Sequence, residues 1–278
     1  MNETCRITFI TTIKLCKSYI DFKYRINMNI QQITKHCKLK NISYEIIVCE
    51  DICNINEEFL SDFFSKDFLR NNNLKLIHVK KDYYNPYNYN MLEAPSKNKA
   101  ISEAKGQFIC SMSGDIFLND DFFDILHTLE VNCFYRFLSY NVRKLDIDYK
   151  NVTLDYYNNF CKQNTVNCIN PLFDKKHINI CDIALKSGDI MILDTNNFIK
   201  IKGFPECGIF HHTDYVVCKI VHNNNIKIIF YNNPIKVYTL AHERDTFEGS
   251  DSSDEYSIKI EQEQWYIANL KNNDLHCN

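Results

Sequence analysis

Two hydrophobic rhythms alternate along the first part of the chain. Ile7-Thr-Phe-Ile-Thr-Thr12 is a short apolar run that predicts a strand ending on two hydroxyls. From Tyr24 to Lys40 the residues Ile26, Ile30, Ile33 and Cys37 recur at helical spacing, which predicts a helix. Tyr44-Glu-Ile-Ile-Val-Cys49 predicts a second buried strand, running out onto Glu50-Asp51. Phe59, Leu60, Phe63, Phe64 and Leu69 give a helical stripe between Glu57 and Arg70, and Leu74 to Val79 a third strand. A Tyr- and Asn-rich loop from Lys81 to Leu92 contains Pro86 and the tyrosines Tyr83, Tyr84, Tyr87 and Tyr89. That cluster suits stacking on a base or sugar as well as it suits a plain surface loop. A helix from Lys97 to Lys105, stopped by Gly106, leads into a strand from Phe108 to Met112.

Strands alternating with helices predict an α/β fold, with a largely parallel sheet flanked by helices on both faces. From about Val131 the pattern loosens into an elaborated C-terminal half. Phe134 to Val142 and Asp189 to Leu193 predict strands separated by an irregular polar stretch. A helix from Asp214 to His222 and a strand from Lys227 to Phe230 follow. Glu248 to Glu255 is an acidic, Ser-rich loop before an amphipathic segment around Trp265. With no internal repeat and no linker, residues 1–278 are expected to form a single domain.

Composition narrows the class. A 45% hydrophobic, 24% charged chain of 278 residues is globular, and a net charge of −3 offers no basic surface for nucleic acid. None of the 13 cysteines forms a Cys-x-x-Cys pair, and Cys49, Cys110 and Cys218 sit inside apolar runs. Free thiols in a reducing, cytoplasmic setting are the expectation, without a disulfide framework or zinc site. Glu3, Arg6 and Lys14 interrupt the first apolar stretch, so it does not read as a signal peptide, and no window is apolar enough for a membrane span.

Candidate chemistry lies where apolar runs end on polar clusters: Glu50-Asp51, Ser113-Gly114-Asp115, Gly188-Asp189, His212-Thr213-Asp214 and His242-Glu243-Arg244. A strand that stops on a carboxylate places it at the carboxyl edge of a sheet, where open α/β folds bind ligands. Ser113-Gly114-Asp115 also suits an ordinary turn, and Asp214 suits a helix cap.

In their order, these clusters resemble the nucleotide-sugar-dependent glycosyltransferases of the GT-A fold, most closely over Glu93 to Arg244. Lys97-Asn98-Lys99-Ala100-Ile101 with Ala104-Lys105-Gly106 is similar to the family's helix before the metal motif, and Ser113-Gly114-Asp115 takes the place of that motif. Ser187-Gly188-Asp189-Ile190 resembles the donor and acceptor segment. Lys202-Gly203-Phe204-Pro205-Glu206, with Asp214, resembles the stretch bearing the catalytic base. The resemblance implies a GT-A-like mixed sheet, with residues 1–130 as the nucleotide-binding half and 131–278 as the acceptor and catalytic half. It implies Thr11, Glu50, Asp51, Asn98, Ser113 and Gly114 at the nucleotide, Gly188 and Asp189 in the donor and acceptor pocket, and Asp115 and His242 on Mn²⁺ or Mg²⁺. Asp214 would be the base. Arg136 lies in a segment similar to the family's Tyr-Arg strand and equally suits a surface position.

The implied reaction is a metal-dependent transfer from a nucleotide-sugar, with a UDP-sugar favoured, to a hydroxyl of a glycan, protein or small molecule. Inversion at the anomeric carbon is expected, and hexosyl and N-acetylhexosaminyl transfer are not distinguished. Asp115 is a hard oxygen ligand, and an imidazole such as His242 tilts the choice toward Mn²⁺. Two departures stand out: Ser113 replaces the family's first metal-motif Asp, and His211-His212-Thr213 precedes Asp214 in place of a second acid. The alternative is a degenerate GT-A domain that binds nucleotide-sugar or glycan without turnover. A sugar-nucleotide pyrophosphorylase fits less well, because Thr11-Thr12-Ile13-Lys14 offers no glycine loop.

Overall fold

The computed structural model describes residues 5–13, 22–52, 59–80, 93–143, 149–168, 190–205, 213–231 and 234–240. Its first four long apolar runs form strands β1 (Ile7–Ile13), β2 (Tyr44–Ile52), β3 (Leu74–Lys80) and β4 (Phe108–Ser111). A short β5 (Ile116–Leu118) follows at once. The second half supplies β6 (Cys133–Phe137), β7 (Ser139–Val142), β8 (Thr165–Cys168), β9 (Met191–Asp194), β10 (Lys227–Tyr231) and β11 (Val237–Leu240). Seven of these strands make one sheet in the order β10-β6-β9-β4-β1-β2-β3, and four make a second in the order β5-β11-β7-β8.

In the larger sheet β1 pairs in parallel with both β2 and β4, and β2 with β3. β9 runs antiparallel between β4 and β6. The mixed, largely parallel α/β sheet expected from the sequence is therefore present. Every residue of β1 is buried, because helices cover both faces. The helix Phe22–Leu39 packs Ile26, Ile30 and Ile33 onto the face that bears Phe9 and Val48. The helices Glu93–Glu103 and Thr213–Asn223 pack Ala100, Ile101 and Val217 onto the face that bears Ile10 and Ile109. Burying one such aliphatic or aromatic side chain contributes about 1.5–3 kcal/mol.

Several boundaries differ from the sequence expectation, each for a local reason. β2 runs through Glu50-Asp51, because the opposing strand offers His78 and Val79 as partners. The expected Glu57–Arg70 helix divides into Leu60–Phe63 and Lys66–Asn71, since Ser65 is extended and caps the second piece through the Phe68 amide at 3.1 Å. The helix expected from Lys97 starts at Glu93, with Pro95 in its first turn, where a missing N–H costs little. Phe134 to Val142 is two strands, β6 and β7, that belong to different sheets. The polar stretch after it holds a helix, Leu154–Gln163, capped by Thr153. Among the described residues no helix is long and apolar enough to cross a membrane. The acidic loop and the Trp265 segment lie outside the described residues.

Gly106 has a role beyond stopping a helix. The chain crosses against β1 there, its amide donating to Thr8 Oγ1 at 2.9 Å. A Cβ at this position would lie 2.4 Å from the Thr8 backbone nitrogen and 2.6 Å from the Ile7 carbonyl carbon. Backbone inside a sheet cannot yield to that extent. Gly106→Ala is expected to destabilise the fold by about 1–3 kcal/mol or more, read as a lowered urea midpoint; an unchanged midpoint would contradict the close approach.

Candidate functional site

The chain steps outward from β1 to β2 to β3, then returns to place β4 on the other side of β1. That reversal makes a topological switch point between the carboxyl ends of β1 and β4, the place where open α/β sheets bind ligands. Thr11 and Thr12 stand on one side and Ser113-Gly114-Asp115 on the other. The Met112 amide, donating to the Ile10 carbonyl at 3.0 Å, holds the two ends together. Thr11 is buried, and its Oγ1 has no hydrogen-bond partner among the described residues. Asp115 is 9% exposed, at the rim of the core.

Gly114 lies beneath the start of the Phe22–Leu39 helix. A Cβ there would be 2.9 Å from Ile26 Cδ1 and 3.1 Å from the Phe22 ring. The turn therefore owes its glycine to packing, and the Ile116 amide closes it onto the Ser113 carbonyl at 3.3 Å.

Glu50 and Asp51 end β2 on opposite faces, as adjacent strand residues must. The Glu50 carboxylate is fully buried: Oε1 accepts from the Leu60 amide at 2.8 Å, and Oε2 lies 3.3 Å from His78 Nε2. Glu50 thus fixes the start of the Leu60–Phe63 helix. Asp51 is also buried, on the face that carries the Glu93–Glu103 helix.

The two halves of the family-like pattern lock onto each other. Asn98 Nδ2 donates to the Phe204 carbonyl at 2.7 Å, and the Phe204 amide donates to Asn98 Oδ1 at 2.7 Å. Gly203 has φ +73°, the left-handed region, and a Cβ there would fall 2.2 Å from Asn98 Oδ1. Beside them, Lys97 Nζ lies 2.5 Å from Glu93 Oε1 and 4.9 Å from the centre of the Phe204 ring. Asn98 thus clamps the Gly203-Phe204 turn with both ends of its amide.

Arg136 is fully buried, which removes the surface reading of that position. Its Nη2 donates to Asp214 Oδ2 at 2.9 Å. Asp214 opens the Thr213–Asn223 helix and retains 18% side-chain exposure. Arg136 and Ser111 both register with Met191, so the ion pair sits two strands from the switch point. Cys218, one turn further along that helix, has its thiol pushed up to about 11, first by burial. Cys49 is likewise pushed up to about 12, so neither thiol is a nucleophile at neutral pH.

Gly188, Asp189, His211, His212, His242 and the tyrosine cluster lie outside the described residues. Among the described residues no group of three or more His, Cys, Asp and Glu could hold a metal ion. A carboxylate beside a hydroxyl, as at Asp115 and Ser113, fits a cation bound chiefly by phosphate oxygens and water, the usual mode for Mg²⁺.

No family model matches the sequence, and no curated protein matches it. Solved structures do match in fold. The crystal structure of residues 1–349 of TarS from S. aureus in complex with UDP-GlcNAc superimposes with a TM-score of 0.56 at 13% identity, over 88% of this chain and 61% of that one. The same protein in complex with UDP gives 0.54 at 13% identity, over 85% and 60%. A further crystal structure of TarS 1–349 gives 0.54 at 14% identity, over 84% and 60%. The fold is GT-A-like. TarS is a glycosyltransferase, and this chain spans about three fifths of the TarS 1–349 length.

The Arg136–Asp214 pair generates a stability prediction. Truncating one partner of a buried pair leaves an uncompensated charge and costs about 3–5 kcal/mol, whereas replacing both by apolar groups is close to neutral. Asp214→Ala is expected to lose stability on that scale, and Arg136→Met added to it to recover most of the loss. A double-mutant cycle by urea unfolding checks this; additive losses would refute the pairing.

Proposed function

We propose that this chain is a nucleotide-sugar-dependent glycosyltransferase, drawing its sugar from a UDP-sugar and passing it to a hydroxyl acceptor. The observation that carries the reading is Ser113-Gly114-Asp115 at the switch point of a GT-A-like sheet, opposite the hydroxyl-bearing end of β1. The crystal structures of TarS with UDP and with UDP-GlcNAc support a uridine donor. Because this chain spans only part of TarS, the acceptor is assigned no further than a hydroxyl on a glycan, protein or small molecule.

Mn²⁺ or Mg²⁺ held by Asp115, with His242, would neutralise charge on the diphosphate leaving group. The other roles belong to side chains. Glu50 or Asp51, at the carboxyl end of β2, is assigned to the base or ribose. Asp214 is assigned as general base: it takes the acceptor proton as that oxygen attacks the anomeric carbon and the diphosphate departs. Direct displacement of this kind inverts the anomer. Arg136 fixes the Asp214 carboxylate by donating Nη2 to Oδ2 at 2.9 Å. The same ion pair, with Ser113 in place of an acid, favours a second reading in which the domain binds nucleotide-sugar without turnover.

Donor binding is tested by thermal unfolding. UDP with Mn²⁺ at a hundred times its dissociation constant is expected to stabilise by about 2.7 kcal/mol, a melting shift of roughly 5–10 °C for a domain of this size. Asp115→Ala should abolish the Mn²⁺-dependent part of that shift. If the wild type gives no shift, the donor site is wrongly placed.

Turnover separates the two readings. General base catalysis contributes about 10²–10⁴, so Asp214→Asn is expected to lower turnover by that factor with little change in donor affinity. Equal turnover in the two proteins removes Asp214 from the chemistry. Absence of turnover in the wild type with UDP- and GDP-sugars, alongside intact UDP binding, favours the binding domain.

A further inference from the structure

We infer that the Phe22–Leu39 helix serves as a surrogate edge strand that holds Asp115 in place, with Asn29 and Gln32 as its positioning residues; this rests on the donor-site reading of Asp115. β5 starts one residue after Asp115 and has β11 as its partner on one side. On the other side helix side chains take the place of a strand. Gln32 Nε2 donates to the Leu118 carbonyl, and the Leu118 amide donates to Gln32 Oε1 at 3.0 Å. That two-way exchange is what an antiparallel neighbour would offer. Asn29 Nδ2 donates to the Ile116 carbonyl at 2.5 Å. One and two turns before Asn29, Ile26 and Phe22 close over Gly114.

The spacing explains why a helix can do this. Residues 22, 26, 29 and 32 follow one another at intervals of three or four and share a helix face. Ile116 and Leu118 share one side of β5, and Gly114 lies in the turn just before it. Three helical residues, Asn29 to Gln32, rise about 4.5 Å and two strand residues, Ile116 to Leu118, about 6.6 Å, a difference that two amide side chains can span. Asp115 is thereby flanked by residues fixed from the helix, Gly114 by packing and Ile116 by Asn29. Both amides are buried among Ile26, Ile30 and Ile33, where a polar side chain persists only if it is hydrogen-bonded.

The inference is tested by UDP affinity with Mn²⁺ and with a chelator, in the full chain carrying Asn29→Ala or Gln32→Ala. Ile220→Val, on the opposite face of the large sheet, is the destabilised control. Expected is a loss of about tenfold in UDP affinity with Mn²⁺ in both variants, the size of one lost hydrogen bond. Metal-free UDP affinity should be unchanged, and the control should keep its full gain from Mn²⁺. Amide exchange at Leu118 should also accelerate at least tenfold in Gln32→Ala. If Gln32→Ala fails to fold, Asn29→Ala and Asn29→Ser carry the affinity test. Variants that keep the wild-type Mn²⁺ gain, or lose no more than the control, overturn this inference alone. A wild type whose UDP binding ignores Mn²⁺ overturns the donor-site reading as well.

Discussion

The fold depends on β1 being paired in parallel on both sides while both of its faces are covered. A strand in that position has no solvent-facing side, so each polar group on it must be satisfied internally or face a ligand. Thr8 meets the first condition, donating to Glu45 Oε1 at 2.6 Å and accepting from Gly106. Thr11, at the carboxyl end, has no such partner among the described residues. The contrast along one strand separates scaffold from candidate site, and it sets the direction in which the neighbouring segments point.

Two of the motif residues hold the fold together. Asn98 and Gly203 belong to the pattern that suggested a glycosyltransferase, yet the structure uses each on the other's segment. Such a clamp demands a side-chain amide facing a backbone that no Cβ obstructs, and that demand depends on neither donor nor acceptor. The recognisable pattern and the chemistry are linked through architecture, since the clamp ties together the helix before β4 and the turn after β9.

Much of the parallel half was legible in the sequence, because fully buried strands read as unbroken apolar runs and Ile26, Ile30 and Ile33 mark one helix face. Sheet membership was not legible. Phe134 to Val142 reads as one run, and only the pairing partners, β9 and β10 for β6 and β11 and β8 for β7, divide it. The Ser65 break was signalled by a capping residue inside the helical stripe. At the site, Ser113-Gly114-Asp115 was readable from its place between two apolar runs. The burial of Arg136 was not, since a lone charge in a strand carries no mark of its partner 78 positions away. Asn29 and Gln32 left a weaker signal: two amides beside the stripe of Ile26, Ile30 and Ile33, on a buried helix face they share with Arg25.

The passage from β6 to β7 has a mechanical consequence. One residue, Leu138, separates the two strands, and its amide is itself bonded to the Tyr231 carbonyl on β10 at 2.9 Å. A single short rod of backbone therefore serves both sheets, leaving no slack at the joint. The smaller sheet cannot tilt like a flap on a hinge without twisting β6, and β6 holds Arg136. Strain applied to the β7 side would reach the Asp214 ion pair through one stiff axle rather than through a chain of soft contacts.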